Sequence, residues 1–246
     1  MIVRNSGDGN LLLIKQPDHA RLAATLIAAW DVPPPVPAAS RAAVLYAIEQ
    51  HDNGWQEVDA SPMWNAETAR PHDFIDTPAQ VKRDIWPRGV RRVAEDSALA
   101  GALVAQHALT LLAQRRAEPS WTAFFSAIEE MQGGLLRRCE TELGITREGF
   151  ERSYDRLYVG DVLSLVFCNQ WRDPFEARGY RITLDGERDL SVSPDPFNGA
   201  RVRFELAARA IPDRAYRSDD DLRAAFRDGR AVSLQGTAGG AVTSSR

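Results

Sequence analysis

Four histidines make up the whole imidazole stock of this 246-residue chain: His19, His51, His72 and His107. Imidazole nitrogens bind first-row transition metals and move protons near neutral pH, so each histidine can be weighed on its own. His51 is followed directly by Asp52. Adjacent helical side chains diverge by about 100°, yet at a helix end they can converge on one ion or on two adjacent ions. Imidazole and carboxylate together suit Fe, Mn, Zn or Ni. The plain alternative is that Asp52-Asn53-Gly54 is only a helix stop. His19 falls in the first turn of a helix with an apolar face, beside Asp18, which could cap that helix or orient the ring. His107 has Leu103, Val104, Thr110 and Leu111 three and four positions away, so it should be buried, as a ligand or as a satisfied core histidine.

Asp161 is the strongest anomaly. It lies mid-helix within the apolar run Leu157 to Phe167, where an unpartnered carboxylate is costly. Its partner should be a metal, a histidine or, more simply, an arginine such as Arg156. His72 reads as a lid or surface residue. Arg70, in the same loop, is a candidate contact for an anionic substrate, and Trp55, just past the doublet, is a second substrate-contact candidate. Arg88, Arg91 and Arg92 read as a solvated helix face.

The elements that must position these residues follow from periodicity and punctuation. Met1 to Arg4 and Leu11 to Lys15, around a Gly- and Asn-rich turn, predict a hairpin. Pro17 opens a helix carrying Leu22, Leu26, Ile27 and Trp30, which must stop before Pro33-Pro34-Pro35. Ser40 is expected to cap the next helix, which ends at Asn53-Gly54 with His51 and Asp52 on its last turn. Residues 55–76 read as a long loop suited to a lid or binding segment. Thr77-Pro78 opens a further helix. Others are expected over 97–116 and 120–143, the latter distorted at Gly133-Gly134. Thr146 caps a long helix to about Trp171. Strands are expected at Tyr180 to Leu184, Asp189 to Val192, Arg201 to Leu206 and Ala231 to Leu234, with a short helix over 219–227. The Gly-rich end, from Gly236, should fray.

With 44% hydrophobic residues the chain can bury a substantial core. Its net charge of −4 supplies no basic field for nucleic acid or anionic membrane. Cys139 and Cys168 form no metal-binding pair and read as reduced, buried thiols. No signal peptide and no membrane-spanning run is expected. The expected location is cytoplasmic, the expected partner a small anionic substrate, and a homodimer is left open.

In chain order, His19, then His51-Asp52, then Asp161 resemble the H…HD…D order of the HD superfamily of metal-dependent phosphohydrolases. That resemblance implies a helical core in which His19, His51, Asp52 and Asp161 hold one or two divalent ions (Mn, Fe, Zn or Ni). It also implies that Asp52 bridges two ions, and that His107 meets the second ion or donates a proton. A closer similarity is to an uncharacterised bacterial family known only as a domain of unknown function. The residues that carry it are Gln16-Pro17-Asp18-His19-Ala20; His51-Asp52-Asn53-Gly54-Trp55 with Asp59 and Pro62; and Arg70-Pro71 with Asp73-Phe74. Gln106-His107, Asp161 to Leu165 and Pro194-Asp195-Pro196-Phe197 complete the set. No activity comes with that similarity, and the scarcity of histidines argues against a trinuclear site.

The expected fold class is therefore mainly α: an HD-like helical core with an N-terminal β-hairpin and a small β-rich C-terminal region. The expected division is a helical domain over 1–175, the β-rich region over 176–236 and a flexible tail over 237–246. The expected function is metal-dependent phosphohydrolysis of a small phosphorylated molecule or nucleotide, with Asp52 and His107 as catalytic residues. A di-iron oxygenase and a non-enzymatic binding protein, whose buried polar groups would pair with one another, are the alternatives.

Overall fold

The computed structural model describes residues 1–241. The hairpin forms as β1 (Ile2–Asn5) and β2 (Asn10–Ile14), with Ile2 opposite Ile14. Gly7 and Gly9 take the positive φ its turn requires. α1 (Gln16–Ala28) starts on Pro17 and buries Leu22, Ala23, Leu26 and Ile27. Its first turn is pinned by Asp59, whose Oδ2 accepts from the Gln16 N–H at 2.5 Å. α2 (Arg41–Gln50) follows a 3₁₀ turn, Ala38–Ser40, and Ser40 makes no capping bond.

The stretch expected as an open loop is largely structured. A 3₁₀ turn (Asn53–Trp55) leads into α3 (Gln56–Ala60), then into a small hairpin of β3 (Trp64–Asn65) and β4 (Arg70–Pro71). α4 (Ala79–Asp96) and α5 (Ala98–Leu111) come next, with the Ser97 hydroxyl accepting from the Ala100 N–H to cap α5. α6 (Thr122–Leu143) runs through Gly133-Gly134 unbroken. No neighbouring element presses on these two glycines, so nothing exploits their weakness to bend the helix. Thr146 caps α7 (Arg147–Asn169) as expected, accepting from the Gly149 N–H.

The C-terminal third holds β5 (Phe175–Ala177), β6 (Tyr180–Asp185), β7 (Asp189–Ser193), β8 (Val202–Pro212), α8 (Asp219–Asp228) and β9 (Arg230–Gly240). These strands and the N-terminal hairpin make one seven-stranded sheet in the order β1-β2-β8-β9-β7-β6-β5, antiparallel except where β7 runs parallel to β9. This corrects the expected fold class. The molecule is not a mainly helical core with a hairpin and a small β-rich region as separate additions, but a set of helices packed with a large mixed sheet.

The sheet was underestimated because β8 and β9 are eleven residues each, and eight of those twenty-two residues are Ala or Gly, residues with little strand propensity of their own. Their neighbours' ladders hold them extended. Residues 236–240, expected to fray, pair with both β7 and β8. At Gly236 a Cβ would stand 2.5 Å from the Phe204 ring, so only glycine allows that approach. The rest of the expected tail, 242–246, lies outside the described residues.

The main core joins α1, α2, α4, α5 and α7 to one face of the sheet through Ile182, Leu190, Val192, Phe204 and Leu206. A smaller one under α8 gathers Leu13, Ile211, Tyr216, Leu222 and Phe226. Cys139 and Cys168 are free and buried. Among the described residues no helix is long and apolar enough to cross a membrane.

Candidate metal centre

Four helical segments each bring a polar side chain to one buried place. His19 comes from the first turn of α1, His51 and Asp52 from the end of α2, His107 from α5 and Asp161 from α7. None of the five is more than 5% exposed. Close helix contacts make this convergence possible. A Cβ on Gly160 would lie 2.8 Å from Ile27, so α7 can approach α1 with Asp161 next in sequence. Gly54 packs against the backbone of α4, where a Cβ would lie 2.2 Å from the Ile85 carbonyl oxygen. Arg88 donates to the Gly54 carbonyl and Arg92 to Asn53 Oδ1, both at 2.7 Å. Two of the three arginines expected on a solvated face thus clamp the turn that follows the doublet.

His51 Nδ1 donates to the Ile48 carbonyl at 2.7 Å, which turns Nε2 inward. That Nε2 lies 3.4 Å from Asp161 Oδ1 and 3.7 Å from Asp52 Oδ2 but has no hydrogen-bond partner. His107 is similar: Nδ1 faces the Tyr154 hydroxyl at 3.4 Å, while Nε2 lies 3.6 Å from Asp161 Oδ2 without a hydrogen bond. His19 Nε2 stands 2.7 Å from Asp52 Oδ2, and its Nδ1 is 2.8 Å from Ser164 Oγ. Ser164 gives its own proton to the Asp161 carbonyl, so its oxygen is free to accept from His19 Nδ1–H. His19 Nε2 then faces Asp52.

The donor set fits a divalent ion. Ligand atoms of His19, His51 and Asp161 all lie within 4.8 Å of one another. Asp52 joins them through His19 and His51, and His107 through Asp161. Two buried imidazole nitrogens without hydrogen bonds, facing two carboxylates, are what a nitrogen-and-oxygen site for Fe, Mn, Zn or Ni requires. Without an ion, protons fill the role. Burial disfavours charge on His51, yet Asp52 and Asp161 outweigh it and raise its pKa to about 9. Burial would also raise Asp52 and Asp161. The imidazoles, His51 foremost, instead hold both below the usual carboxylate range. At His107 burial wins over Asp161, and the pKa falls to about 4.

Other sequence candidates lie elsewhere. Arg156, the simple alternative partner for Asp161, stacks on the Trp30 ring at 4.5 Å. His72 pairs with Asp76 at 3.3 Å, and Arg70 forms an ion pair with Asp213, away from the cluster. Trp55 is buried and lines a cavity that also includes Trp86, and the Trp86 ring stands edge-on to His107 at 5.9 Å. Ser164, Tyr154 and Trp86 were not singled out from the sequence. Ser164 left a signal, as a second polar residue three positions from Asp161 in the same apolar helix; the other two left none.

No curated protein and no solved structure gives a significant match, and the family comparison makes no link to the HD superfamily. The family model described as "Protein of unknown function (DUF3891)" matches residues 1–213, a span that holds every residue of the cluster, and the chain belongs to that family.

Proposed function

We propose that this protein is a metal-dependent hydrolase acting on a small phosphorylated molecule. The observation that carries the proposal is the meeting of His19, His51, Asp52, His107 and Asp161 in one buried place, with two imidazole nitrogens lacking hydrogen bonds. The H…HD…D order shared with the HD superfamily supports it from the sequence side. His19, His51, Asp52 and Asp161 would hold the ion. A divalent ion bound there supplies a Lewis acid and a water acidified toward neutral pH. Burial lowers the His107 pKa to about 4, which leaves a neutral ring whose Nε2 can meet a second ion. Tyr154 orients that ring from Nδ1. Arg70 has no part in this proposal, because Asp213 already holds its guanidinium.

The test is elemental analysis of purified protein reconstituted with Mn, Fe, Zn and Ni, comparing wild type with Asp52→Ala and Asp161→Ala. Wild type should hold one or two ions per chain and the variants fewer. Metal-loaded protein should then hydrolyse a phosphomonoester or phosphodiester. If wild type retains no metal, the cluster is a set of mutually paired buried groups and the non-enzymatic alternative stands. An iron-dependent optical band without hydrolysis would favour the redox alternative.

A further inference from the structure

A cavity of about 540 Å³ opens between α4, the end of α5 and the segment from Trp55 to Ala79. Its size lies within the roughly 300–1,000 Å³ of small-molecule sites. Three of the chain's six tryptophans, Trp55, Trp86 and Trp121, line it together with Phe74. Two further lining residues, Ile75 and Leu111, are 67% and 38% exposed, unusual for large apolar side chains in this molecule. The indole N–H of buried Trp55 has no hydrogen-bond partner.

The cavity also holds an unusual cation. Lys82 is one of two lysines in a chain whose other cationic side chains are arginines. It is half-buried, and Nζ donates to the Ile75 carbonyl at 2.6 Å. Among the described residues it forms no ion pair with a carboxylate. Burial, then the neighbouring Arg115, lowers its pKa, against the weaker pull of Asp76 and Asp73. An ammonium in that position gains from an incoming anion. Lys82 and Trp86 are four residues apart on α4 and so share one helix face. Trp86 in turn both lines this cavity and stands edge-on to His107 at 5.9 Å.

We propose that this cavity binds a planar aromatic anion, with its ring against the indoles and its anionic group at Lys82. As the substrate pocket of the metal site the assignment rests on the proposed hydrolase; as a binding site it stands on the cavity alone. Indole faces favour flat rings, and Arg115, already paired with Glu118, adds to a positive field that Asp76, also lining the cavity, partly offsets.

The test is calorimetric titration of the metal-free protein with phenylphosphonate. Saturable binding at one site per chain is expected. Methylphosphonate, which lacks the ring, and cyclohexylphosphonate, which lacks the flat face, should each bind about tenfold more weakly. Lys82→Met, which keeps the stem and removes the charge, should lose about tenfold in affinity, with an unchanged circular dichroism spectrum showing that it folds. The proposal is overturned if phenylphosphonate does not saturate, if the three phosphonates bind alike, or if Lys82→Met binds as wild type does. Phenylphosphonate binding by a protein that takes up no metal would sink the hydrolase and leave the pocket. Metal uptake and hydrolysis without phenylphosphonate binding would do the reverse.

Discussion

In the helices most of the buried ionisable side chains gather at one point, where His19, His51, Asp52, His107 and Asp161 meet beside Ser164, with Asp59 held apart by the Met1 amino group and the Gln16 N–H. The large sheet is different. It buries Ile182, Leu184, Leu190, Val192, Phe204 and Leu206, with Ser191 as the one buried polar residue on its strands. Its ion pairs, such as Arg181–Glu176 and Arg201–Asp189, lie in solvent, where each contributes little, about 0–1 kcal/mol. Burying ionisable groups costs free energy that apolar packing elsewhere must offset. The sheet and the helical core supply that packing, and the cluster uses it. The buried ionisable cluster and the sheet's apolar face thus lie in different parts of one fold, although the N-terminal hairpin is bonded into the sheet and immediately precedes α1.

That division can be broken by experiment. The largest effect is expected at Asp161. Metal at a hundredfold excess over Kd should stabilise the wild type by about 2.7 kcal/mol. In Asp161→Ala the affinity should fall at least about 100-fold, so thermal melts at that metal concentration should show at most about 0.4 kcal/mol of stabilisation. An undiminished rise would remove Asp161 from the site.

The second effect is on pH. A metal must displace the extra proton from His51, whose pKa is raised to about 9, so metal affinity should climb about tenfold per pH unit below that value. In the metal-free protein the sign is opposite. The folded pKa lies above the ordinary 6.5, so the stabilisation from His51 is complete below pH 6.5 and is lost as pH rises through about 9. Titrations by calorimetry and melts across this range check both signs; affinity independent of pH would mean that His51 is not a ligand.

A smaller effect is expected in the sheet. Gly236→Val should cost about 1–3 kcal/mol by forcing a side chain into the Phe204 ring, while metal affinity per folded molecule stays unchanged. A matching loss of metal affinity would erase the contrast between the two regions. The smallest is Arg70→Ala, which removes a half-exposed ion pair and should change stability by less than about 1 kcal/mol and activity not at all. A large activity loss there would restore Arg70 as a substrate contact.

The cluster was more legible in the sequence than the fold that frames it. Asp161 stood out because a carboxylate inside an apolar helix demands a partner, a local fact visible without a fold. Thr146 announced its helix because a cap bonds to a backbone N–H three residues away, whereas Ser40, expected to do the same, makes no capping bond. Arg70 misled, because a guanidinium in a loop looks the same whether its carboxylate is on a substrate or at Asp213, far along the chain. The sheet misled further, because Ala and Gly carry no strand signal and β9 is held by partners at 189–192 and 202–210.

By itself, then, the sequence determined the longer helices, the Thr146 cap and the list of groups too polar to be buried without a purpose, since those depend on neighbours within a turn or two. The tertiary structure decided the rest. It closed the hairpin onto β8, laid β9 between β7 and β8, aimed His51 and His107 at Asp161 and set Trp86 against both His107 and a cavity. Each of these rests on contacts between distant residues, where shape and close approach at glycines such as Gly54, Gly160 and Gly236 select the partner.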